Sequence, residues 1–250
     1  GEFPEGVIGN PGVNERYGRF NFSAFYRGIL RHNLRFDVGM GYSDLYKVKE
    51  SKNFLYGSGG TLIPLGSVKD VSDDPNSVFI RPHDRSLTYV VAQDEWAFSN
   101  DWVLTAGLRH DNYSDFGHTT NPRLALVWAM KYNLTGKLLY GRAFRAPAFA
   151  ELYNINNPVI LGNPKLQPET ISTWELVFDY DPHWDLNTKF NIFRYKMKDI
   201  IRFVADPVPA TSDTAQNSGV QEGYGFEWEA RWRPTRDWDI RGHWTWQHSV

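Results

Sequence analysis

Long runs of strictly alternating apolar and polar side chains limit the folds open to this chain more than any other feature. From Leu34 to Ser43, apolar residues alternate with arginine, aspartate, glycine and serine. From Tyr224 to Arg233, aromatic residues and one alanine alternate with glycine, glutamate and arginine. A period of two residues is that of a β-strand with one apolar and one polar face. A shift in pairing by one residue would exchange the two faces, so the pattern also fixes the register.

The same alternation predicts about ten strands along the chain, joined by connections of two kinds. Short turns are expected near residues 30, 100, 132, 182 and 235, and longer irregular stretches cover residues 51–85, 114–121, 145–170 and 202–222. Residues 1–15, rich in glycine and proline, are expected to form a loop. The alternation loses its phase near Arg194, which suggests a β-bulge. Short turns that alternate with long loops are typical of a transmembrane antiparallel β-barrel.

Alternation alone does not separate a membrane barrel from a soluble β-sandwich or propeller, because both have one apolar and one polar face per strand. Strand length, the unequal connections and the charges of the polar face favour the membrane barrel. The net charge of −2 gives no electrostatic case for binding nucleic acid. The absence of cysteine excludes a disulfide scaffold, and no apolar run reaches the roughly 18 residues of a membrane helix. Aromatic residues at predicted strand ends suit membrane interfaces: Tyr42, Trp102, Tyr140, Trp174 and Trp238.

The segment from Tyr140 to Glu175 begins and ends as a strand but cannot be regular in between. Prolines interrupt it at positions 147, 158, 164 and 168, and each fixes φ and removes a backbone donor. Pro147, followed by the sequence AFAELY, suits the first position of a short helix. The sequence GNP at 162–164 predicts a turn. The segment is thus expected to be a long, structured loop between two strands.

Particular motifs in this segment resemble the barrel domain of TonB-dependent outer-membrane receptors. They are YGRAFRAP, ELY and GNPKLQPE, followed by a strand that contains WEL. Similar sequences follow the family's order elsewhere: DEWAFSNDWVLTAGLRHDNYSDFG at 94–117, NPRLALVW at 121–128, KMKDII at 196–201, QNSG at 216–219 and GYGFEWEA at 223–230. Each motif is short, but the ordered set from Leu87 to Val250 is specific.

The resemblance implies an all-β fold in which residues 1–250 supply about ten strands of a transmembrane antiparallel barrel of about 22 strands. The plug domain and the C-terminal strands of the family would then be absent from this chain. The resemblance also implies a receptor in the outer membrane of a Gram-negative bacterium, which takes up a scarce nutrient such as a ferric siderophore or a cobalamin-like ligand. The implied partners are outer-membrane lipid, the receptor's own plug domain, the TonB energy complex that acts through the plug, and the small ligand. The residues themselves leave open a soluble, tryptophan-rich module that binds carbohydrate, and a passive porin wall.

Three groups of residues are candidates for function. Aromatic and basic loop residues are candidates for ligand contact: Phe54, Tyr56, Arg81, His83, Arg85, Tyr153 and Phe203. Charged residues of the polar strand face are expected to line the lumen: Arg109, Lys137, Glu175, Asp179, Glu227, Glu229, Arg231 and Arg241. Residues of the family motif are expected to tie the loop and its helix to the rim: Arg145, Pro147, Glu151, Gly162, Asn163, Pro164, Pro168 and Glu169. The alternative for Arg145, Glu151 and Glu169 is ligand binding, in which Arg145 would meet an anionic chelate.

A calcium loop is one further possibility in the stretch 51–85. Four oxygen-bearing residues have the alternate spacing of such a loop: Asp70, Ser72, Asp74 and Asn76. Pro75 and the missing glycine disrupt the pattern, so no metal site is predicted.

Two histidine patterns were possible signs of chemistry. His110, Asn112 and Ser114 are residue types of an outer-membrane hydrolase, but same-face neighbours on one strand are about 7 Å apart, beyond the roughly 3 Å hydrogen bond between a nucleophile and its base. His243 and His248 have opposite parity and face opposite sides of a strand. The sequence therefore predicts no enzyme and no cofactor.

Overall fold

The computed structural model describes residues 6, 8–54, 63, 64, 66–207 and 212–250. Most of these residues form strands: β1 (Gly9–Tyr26), β2 (His32–Lys52), β3 (Lys69–Asp70), β4 (His83–Trp96), β5 (Trp102–Tyr113), β6 (Gly117–Lys131), β7 (Leu134–Arg145), β8 (Ile160–Leu161), β9 (Glu169–His183), β10 (Leu186–Ala205), β11 (Asp213–Trp232) and β12 (Ile240–Ser249). Helix α1 (Phe149–Tyr153) lies between β7 and β8. Across the described ranges, no helix is long and apolar enough to cross a membrane.

Each long strand pairs antiparallel with the next long strand along the chain. The order across the sheet is β1-β2-β4-β5-β6-β7-β9-β10-β11-β12. The two-residue strands lie beside this path, where β3 pairs with β2 and β8 pairs in parallel with β11. Within the described residues all twelve strands belong to this one sheet, whereas a sandwich needs two sheets packed face to face. The all-β antiparallel architecture predicted from the alternation is confirmed.

One face of the sheet carries apolar side chains that remain exposed. The register fixes this face, because directly paired residues point to the same side. Leu138 pairs with Leu176, which pairs in turn with Ile192, and all three are exposed. So broad an exposed apolar surface is unfavourable in water, and the sheet therefore needs an apolar environment on this side. We call it the apolar face; its exposed members include Phe36, Val38, Met40, Val90, Leu108, Leu124, Leu138, Trp174, Leu176, Ile192, Tyr224, Trp228, Trp244 and Trp246.

The opposite face carries many ionised side chains, and we call it the charged face. A row of directly paired residues crosses five strands on this side: Leu139, Glu175, Phe193, Gly225 and Gln247. By the same register, all eight residues expected in the lumen lie on the charged face: Arg109, Lys137, Glu175, Asp179, Glu227, Glu229, Arg231 and Arg241. That this face lines a lumen stays a prediction.

The expected loops 1–15, 114–121 and 202–222 are wrong in extent. β1 already begins at Gly9, β6 begins at Gly117, and β10 and β11 leave only residues 206–212 between them. In these places the strands continue beyond the apolar band. Backbone hydrogen bonds hold them together there whatever the side chains are, so the sequence shows no alternation from which to predict a strand. The long connections 51–85 and 145–170 are found close to their expected bounds.

The bulge in β10 lies later in the strand than expected. Pairing with β11 shifts within Met197–Ile200, where Asp199 has a φ of 58°. Arg194 pairs regularly with Trp174 on one side and Tyr224 on the other. The apolar pattern ends at Arg194 because a charged side chain takes an outward position, while the backbone stays regular.

A charge placed on either side of the sheet tests the assignment of the two faces. Leu138→Arg puts a guanidinium on the apolar face and is expected to lower stability in a bilayer by roughly 2–4 kcal/mol, the cost of an arginine near the midplane. Leu139→Arg puts the same group beside Glu175 on the charged face and is expected to cost far less. The measurement is urea unfolding of the full-length protein in lipid vesicles. Equal losses in the two variants would contradict the assignment.

Candidate functional site

Three long connections of the chain meet at one end of the sheet, which we call the rim. They are residues 53–82, 146–168 and 206–212. The first two are joined directly, because the Ile155 N–H donates to the carbonyl oxygen of Phe79 at 2.6 Å. The second reaches the start of β11, directly after the third, through β8, where Ile160 pairs with Asp213. The turns at 27–31, 97–101, 132–133, 184–185 and 233–239 lie at the other end of the sheet, while the rim end has one short connection, 114–116, beside the three long ones. The rim is therefore the end where loops are long enough to bind a ligand.

Two apolar clusters hold the rim together, and α1 takes part in both. Leu152 of α1 is fully buried against Leu166 and Ala215. The second cluster lies between β2 and the first connection, and the rings of α1 pack on it; its members are Leu45, Val48, Val78 and Ile80, with Phe149 and Tyr153. Helix α1 thus fixes the first connection relative to β11.

The helix itself forms close to its predicted place. It begins at Phe149, two residues after Pro147 and not at the proline as expected. The Ala148 N–H donates to the carboxylate of Glu151 at 2.7 Å, which satisfies one of the amides that a helix start leaves free. Ala148 is extended, with φ −70° and ψ 155°, and so takes the place before the first turn.

The turn predicted at 162–164 requires its glycine. The Gly162 N–H donates to the Asn154 carbonyl oxygen at 2.8 Å. A Cβ at position 162 would lie 2.5 Å from the Asn154 nitrogen, closer than any side chain can approach. The Asn163 amide donates to the Ala215 carbonyl at 3.0 Å and accepts from the Lys165 N–H at 2.9 Å. The turn thereby anchors the loop on β11.

Arg145 binds both acidic residues of the motif. Its Nε donates to Glu169 at 2.6 Å, and its two terminal nitrogens donate to Glu151 at 2.9 and 3.0 Å. Glu169 also accepts from the Ile201 N–H at 2.7 Å. One guanidinium therefore connects the end of β7, the start of β9 and helix α1. The geometry agrees with the structural role predicted for these residues, and that role stays a prediction.

Lys52 is a buried cation that joins two connections of the rim. Its ammonium group donates to the carbonyl oxygen of Ser77 and to that of Asn156, the latter at 3.4 Å, and lies 3.7 Å from the Glu50 carboxylate. Glu50 accepts from the Phe79 N–H at 2.6 Å. Burial lowers the pKa of Lys52 and raises that of Glu50, while their mutual attraction opposes both shifts.

Sequence analysis missed Lys52, Glu50 and Asn156, because the end of β2 carries no pattern that distinguishes a buried lysine from an exposed one. A signal did exist for Asn156. It has a φ of 53°, a left-handed conformation that asparagine tolerates, and it opens the sequence Asn-Asn-Pro, which is typical of a turn. Its side-chain amide donates to the Val78 carbonyl oxygen at 3.0 Å, which joins the same two connections a second time.

Four of the seven residues predicted for ligand contact come together in the rim: Arg81, His83, Arg85 and Tyr153. The ring of His83 stacks on that of Tyr153 with 3.9 Å between centroids. The guanidinium of Arg85 is occupied, since it binds Asp115 at 2.6 Å and the Pro147 carbonyl at 2.8 Å and lies over the Phe149 ring. Arg81 is exposed and anchored by its Nε on the Pro75 carbonyl at 3.0 Å, which leaves it the accessible cation of this group.

The other three predicted contact residues do not join this group. Phe54 is only 4% exposed and lies under the Lys52 ammonium. Phe203 is exposed on β10, opposite Ala215. Tyr56 lies outside the described residues.

The residues with the spacing of a calcium loop form hydrogen bonds within turns. Asp70 accepts hydrogen bonds from the amide and hydroxyl of Ser72, and Asp74 accepts from the Ser77 hydroxyl and the Asn76 N–H. These bonds lower the pKa of both carboxyl groups. Nowhere in the described ranges do three or more histidine, cysteine or acidic side chains converge as metal ligands would.

The hydrolase-like residues have separate partners. A ring nitrogen of His110 lies 2.8 Å from the Thr120 hydroxyl, whereas the Ser114 hydroxyl accepts from the Ser86 N–H at 3.0 Å. His243 and His248 pair with Glu229 and Tyr224, which lie on opposite faces, as expected.

A groove of about 350 Å³ opens on the charged face. Arg35, Asp37, Arg109, Asn121 and Arg123 are among the residues that line it. The side-chain oxygen of Asn121 is buried there with no hydrogen-bond partner among the described residues. Arg35 binds Asp37 at 2.9 Å and Arg109 binds Asp111 at 2.6 Å, so Arg123 supplies the excess positive charge among these residues. That excess favours anionic or strongly polar molecules.

The role of Arg145 can be tested by removing its charge. Arg145→Gln leaves Glu151 and Glu169 without their cation and is expected to loosen residues 146–168 by about 1–2 kcal/mol, a modest value because the guanidinium is partly exposed. Limited proteolysis of the full-length protein measures the effect as faster cleavage within this loop. Arg142→Gln, which changes an exposed arginine three residues earlier on β7, is the matched control. Equal cleavage in both variants would contradict the role.

The buried pair at the end of β2 predicts a non-additive result. Lys52→Met leaves the Glu50 carboxylate buried and unpaired, and is expected to cost about 3 kcal/mol. The double variant Lys52→Met/Glu50→Gln removes both charges and is expected to recover much of the loss. Hydrogen exchange of the amides in 71–80 and 155–157 reports the change. If the same amides exchange as fast in the double variant as in the single variant, the pairing of Lys52 with Glu50 is contradicted.

Comparison with known proteins places this geometry in context. A family described as "TonB dependent receptor-like, beta-barrel" matches residues 4–250. The iron-regulated outer membrane virulence protein of Vibrio cholerae is 31% identical over 172 residues, which are 63% of this chain and 26% of that protein. The vitamin B12 transporter of the same species is 31% identical over 122 residues, or 48% of this chain and 19% of that protein. The chain thus spans about a quarter or less of these curated relatives.

Solved structures share the fold at low identity. A ferric enterobactin receptor of Pseudomonas aeruginosa, in complex with enterobactin, has a TM-score of 0.70 and 18% identity over 94% of this chain and 36% of that one. A siderophore receptor of Acinetobacter baumannii has a TM-score of 0.70 and 17% identity over 94% of this chain and 37% of that one.

Proposed function

The chain belongs to the TonB-dependent receptors, and from this premise we propose that it forms part of the barrel wall of an outer-membrane receptor that imports a ferric siderophore. The observation that carries the proposal is the two-faced sheet of ten long strands. Its apolar face is exposed along its length and suits lipid, while its charged face suits a hydrated lumen. In a soluble binding module, so large an exposed apolar surface would be unfavourable.

The membrane orientation follows from the connections. In transmembrane barrels the turns on the periplasmic side are short and the loops on the external side are long. The rim, with its three long connections, therefore faces outward from the cell. The short turns, such as that between β6 and β7, face the periplasm.

The ligand is proposed to be an anionic ferric chelate. Its entry would pass the exposed guanidinium of Arg81 and the stacked rings of His83 and Tyr153, and then the groove beside Arg109 and Arg123. Cations and aromatic rings together suit a chelate that carries negative oxygen atoms on aromatic or amide groups. A cobalamin-like ligand is the second candidate, and the similarity to a vitamin B12 transporter favours it.

Energy for uptake is proposed to come from the TonB complex acting through the receptor's plug domain. The charged face is the natural contact for such a plug, because ionised side chains on a barrel interior need water or polar partners. Buried polar groups with a free acceptor, such as Asn121, mark where such a partner could bind.

Uptake by whole cells tests the proposal. The full-length gene is expressed in a Gram-negative host that lacks its own siderophore and cobalamin receptors, with and without TonB. We expect radioactive iron to enter as a ferric catecholate only when TonB is present. Arg81→Ala is expected to raise the concentration for half-maximal uptake about tenfold, through the loss of one charge-assisted contact.

The controls separate the alternatives. Arg236→Ala removes an exposed arginine at the short-turn end and should leave uptake unchanged. Uptake of radioactive cobalamin without uptake of iron would favour the second ligand class. Equal iron entry with and without TonB would identify a passive porin and overturn the proposal.

A further inference from the structure

Two histidines lie side by side where the apolar face ends near the rim. Beyond Leu108, positions of β5 and β6 on the same side of the sheet carry polar side chains that are all exposed: His110, Asn112, His118 and Thr120. His110 pairs directly with Thr120, and Asn112 pairs directly with His118, so the four share one side. His110 and His118 are thus diagonal neighbours on adjacent strands. We call these two residues the histidine pair.

The rings of the histidine pair are spaced for a shared metal ion. Their centroids are 5.6 Å apart, and their planes are inclined by 33°. A zinc ion lies about 2.0–2.1 Å from an imidazole nitrogen, and hence roughly 3.2 Å from the centroid of the ring. Two rings on one tetrahedral ion therefore have centroids about 5 Å apart. Because both side chains are exposed, small rotations suffice to close them around an ion.

A hydrogen bond already orients one ring of the pair. The Nδ1 atom of His110 lies 2.8 Å from the Thr120 hydroxyl oxygen. In metal sites, the second nitrogen of a ligating histidine commonly donates to such an oxygen, which fixes the tautomer and orients the ring. When Nδ1–H donates to Thr120, the lone pair of Nε2 is left for the metal. Within the described ranges, the ring of His118 contacts that of His110 and has no hydrogen-bond partner, so it is free to turn toward the ion.

The surroundings of the pair suit a cation. The positions that pair directly with the two histidines are Val90, Thr120 and Asn112, and none of them is charged. A metal ion would therefore meet no opposing charge from these neighbours. Imidazole nitrogen is a preferred ligand of zinc, copper and nickel. The ion that fits this position is a divalent transition metal.

We propose that the histidine pair chelates one divalent transition-metal ion of the copper, nickel and zinc class. Nε2 of His110 and one ring nitrogen of His118 are two of its ligands, and water supplies the others, since no cluster of three histidine, cysteine or acidic side chains occurs among the described residues. The ion joins β5 to β6 beside their connection at 114–116. Because the folded sheet brings the two ligands together and the unfolded chain does not, the ion stabilises this hairpin.

Copper binding by the receptor tests the inference. The full-length receptor, produced without a histidine tag and freed of metal by a chelator, is titrated with Cu²⁺ in detergent. We expect a site with a micromolar dissociation constant. His110→Asn and His118→Asn are each expected to weaken it about a hundredfold, because the second imidazole acts at a high effective concentration.

A histidine elsewhere on the sheet supplies the matched control. His243→Asn changes a residue of β12 on the charged face and should leave the affinity for Cu²⁺ unchanged. Equal affinity in the unmodified receptor and in both variants of the histidine pair would overturn the inference.

Pulsed electron paramagnetic resonance identifies the ligands directly. Less than one equivalent of Cu²⁺ is added, so that the tightest site fills first. Coupling of the copper to nitrogens of two imidazoles is expected in the unmodified receptor, and coupling to those of one imidazole in each single variant. Coupling to one imidazole in the unmodified receptor would rule out chelation by the pair.

Variants at Thr120 keep the test valid if the loss of a histidine disturbs folding. Thr120→Val removes the hydroxyl that orients His110 and is expected to weaken copper binding about tenfold. Thr120→Ser keeps the hydroxyl and is expected to keep the affinity. Both variants retain both imidazoles. If Thr120→Val and Thr120→Ser bind copper equally well, coordination through Nε2 of an oriented His110 is contradicted.

Uptake of iron separates this site from the proposed function. The histidine pair lies on the opposite side of the sheet from the groove, which is lined by Arg109 and Asn121. His110→Asn is therefore expected to lose copper binding and to import iron as the unmodified receptor does. Parallel loss of copper binding and iron uptake would place the pair on the uptake path and overturn a separate metal site. A receptor that imports no iron but still binds copper through two imidazoles overturns the proposed function alone.

Discussion

Backbone pairing in a single register is the constraint on which the rest of this structure depends. Inside a bilayer, each N–H and carbonyl group needs a partner within the protein, and a continuous antiparallel sheet supplies one for every strand except those at its edges. Because side chains alternate along each strand, the register that satisfies the backbone also sorts every side chain to one of two faces. The row from Leu139 through Glu175 to Gln247 shows how one register carries a face across the sheet. The apolar face and the groove on the charged face both follow from that sorting.

The rim is held by a different kind of interaction, since its loops have too little apolar surface for a core of their own. Two small clusters around Leu152 and Ile80 are supplemented by cations that each bind several loops at once. Arg145 binds two carboxylates, Arg85 binds a carboxylate and a backbone carbonyl, and Lys52 binds carbonyls of two connections. A partly buried cation with fixed partners holds the loops in one arrangement, because the loss of a single partner leaves a charge unsatisfied. The loops of the rim are therefore arranged by charge together with these two clusters, and the sheet below them by register.

Basic residues occur in three distinct settings in this protein. In the rim they are mostly occupied, so that Arg85 and Arg145 position loops while Arg81 stays accessible. On the charged face, Arg109 and Arg123 line a groove suited to polar or anionic molecules. On the apolar face, Arg194 lies between exposed aromatic rings, since it pairs with Trp174 and Tyr224. The basic residues carry the same positive charge in each setting, and the side chains around them decide which anion can approach.

Sequence by itself determined the strands that cross the apolar band, the two faces and the structured loop of 145–170, because each has a local signature in alternation, proline or glycine. It also determined the family, because an ordered set of short motifs is specific for one family whereas a single short motif is not. The strand extensions at Gly9, Gly117 and Asp213 were decided only by the tertiary structure, since backbone pairing there does not depend on side-chain pattern. The same is true of Lys52, whose partners Ser77 and Asn156 lie in two connections far apart in the chain. Whether a charged side chain is buried, paired or exposed depends on what the fold brings against it, and no local pattern records that.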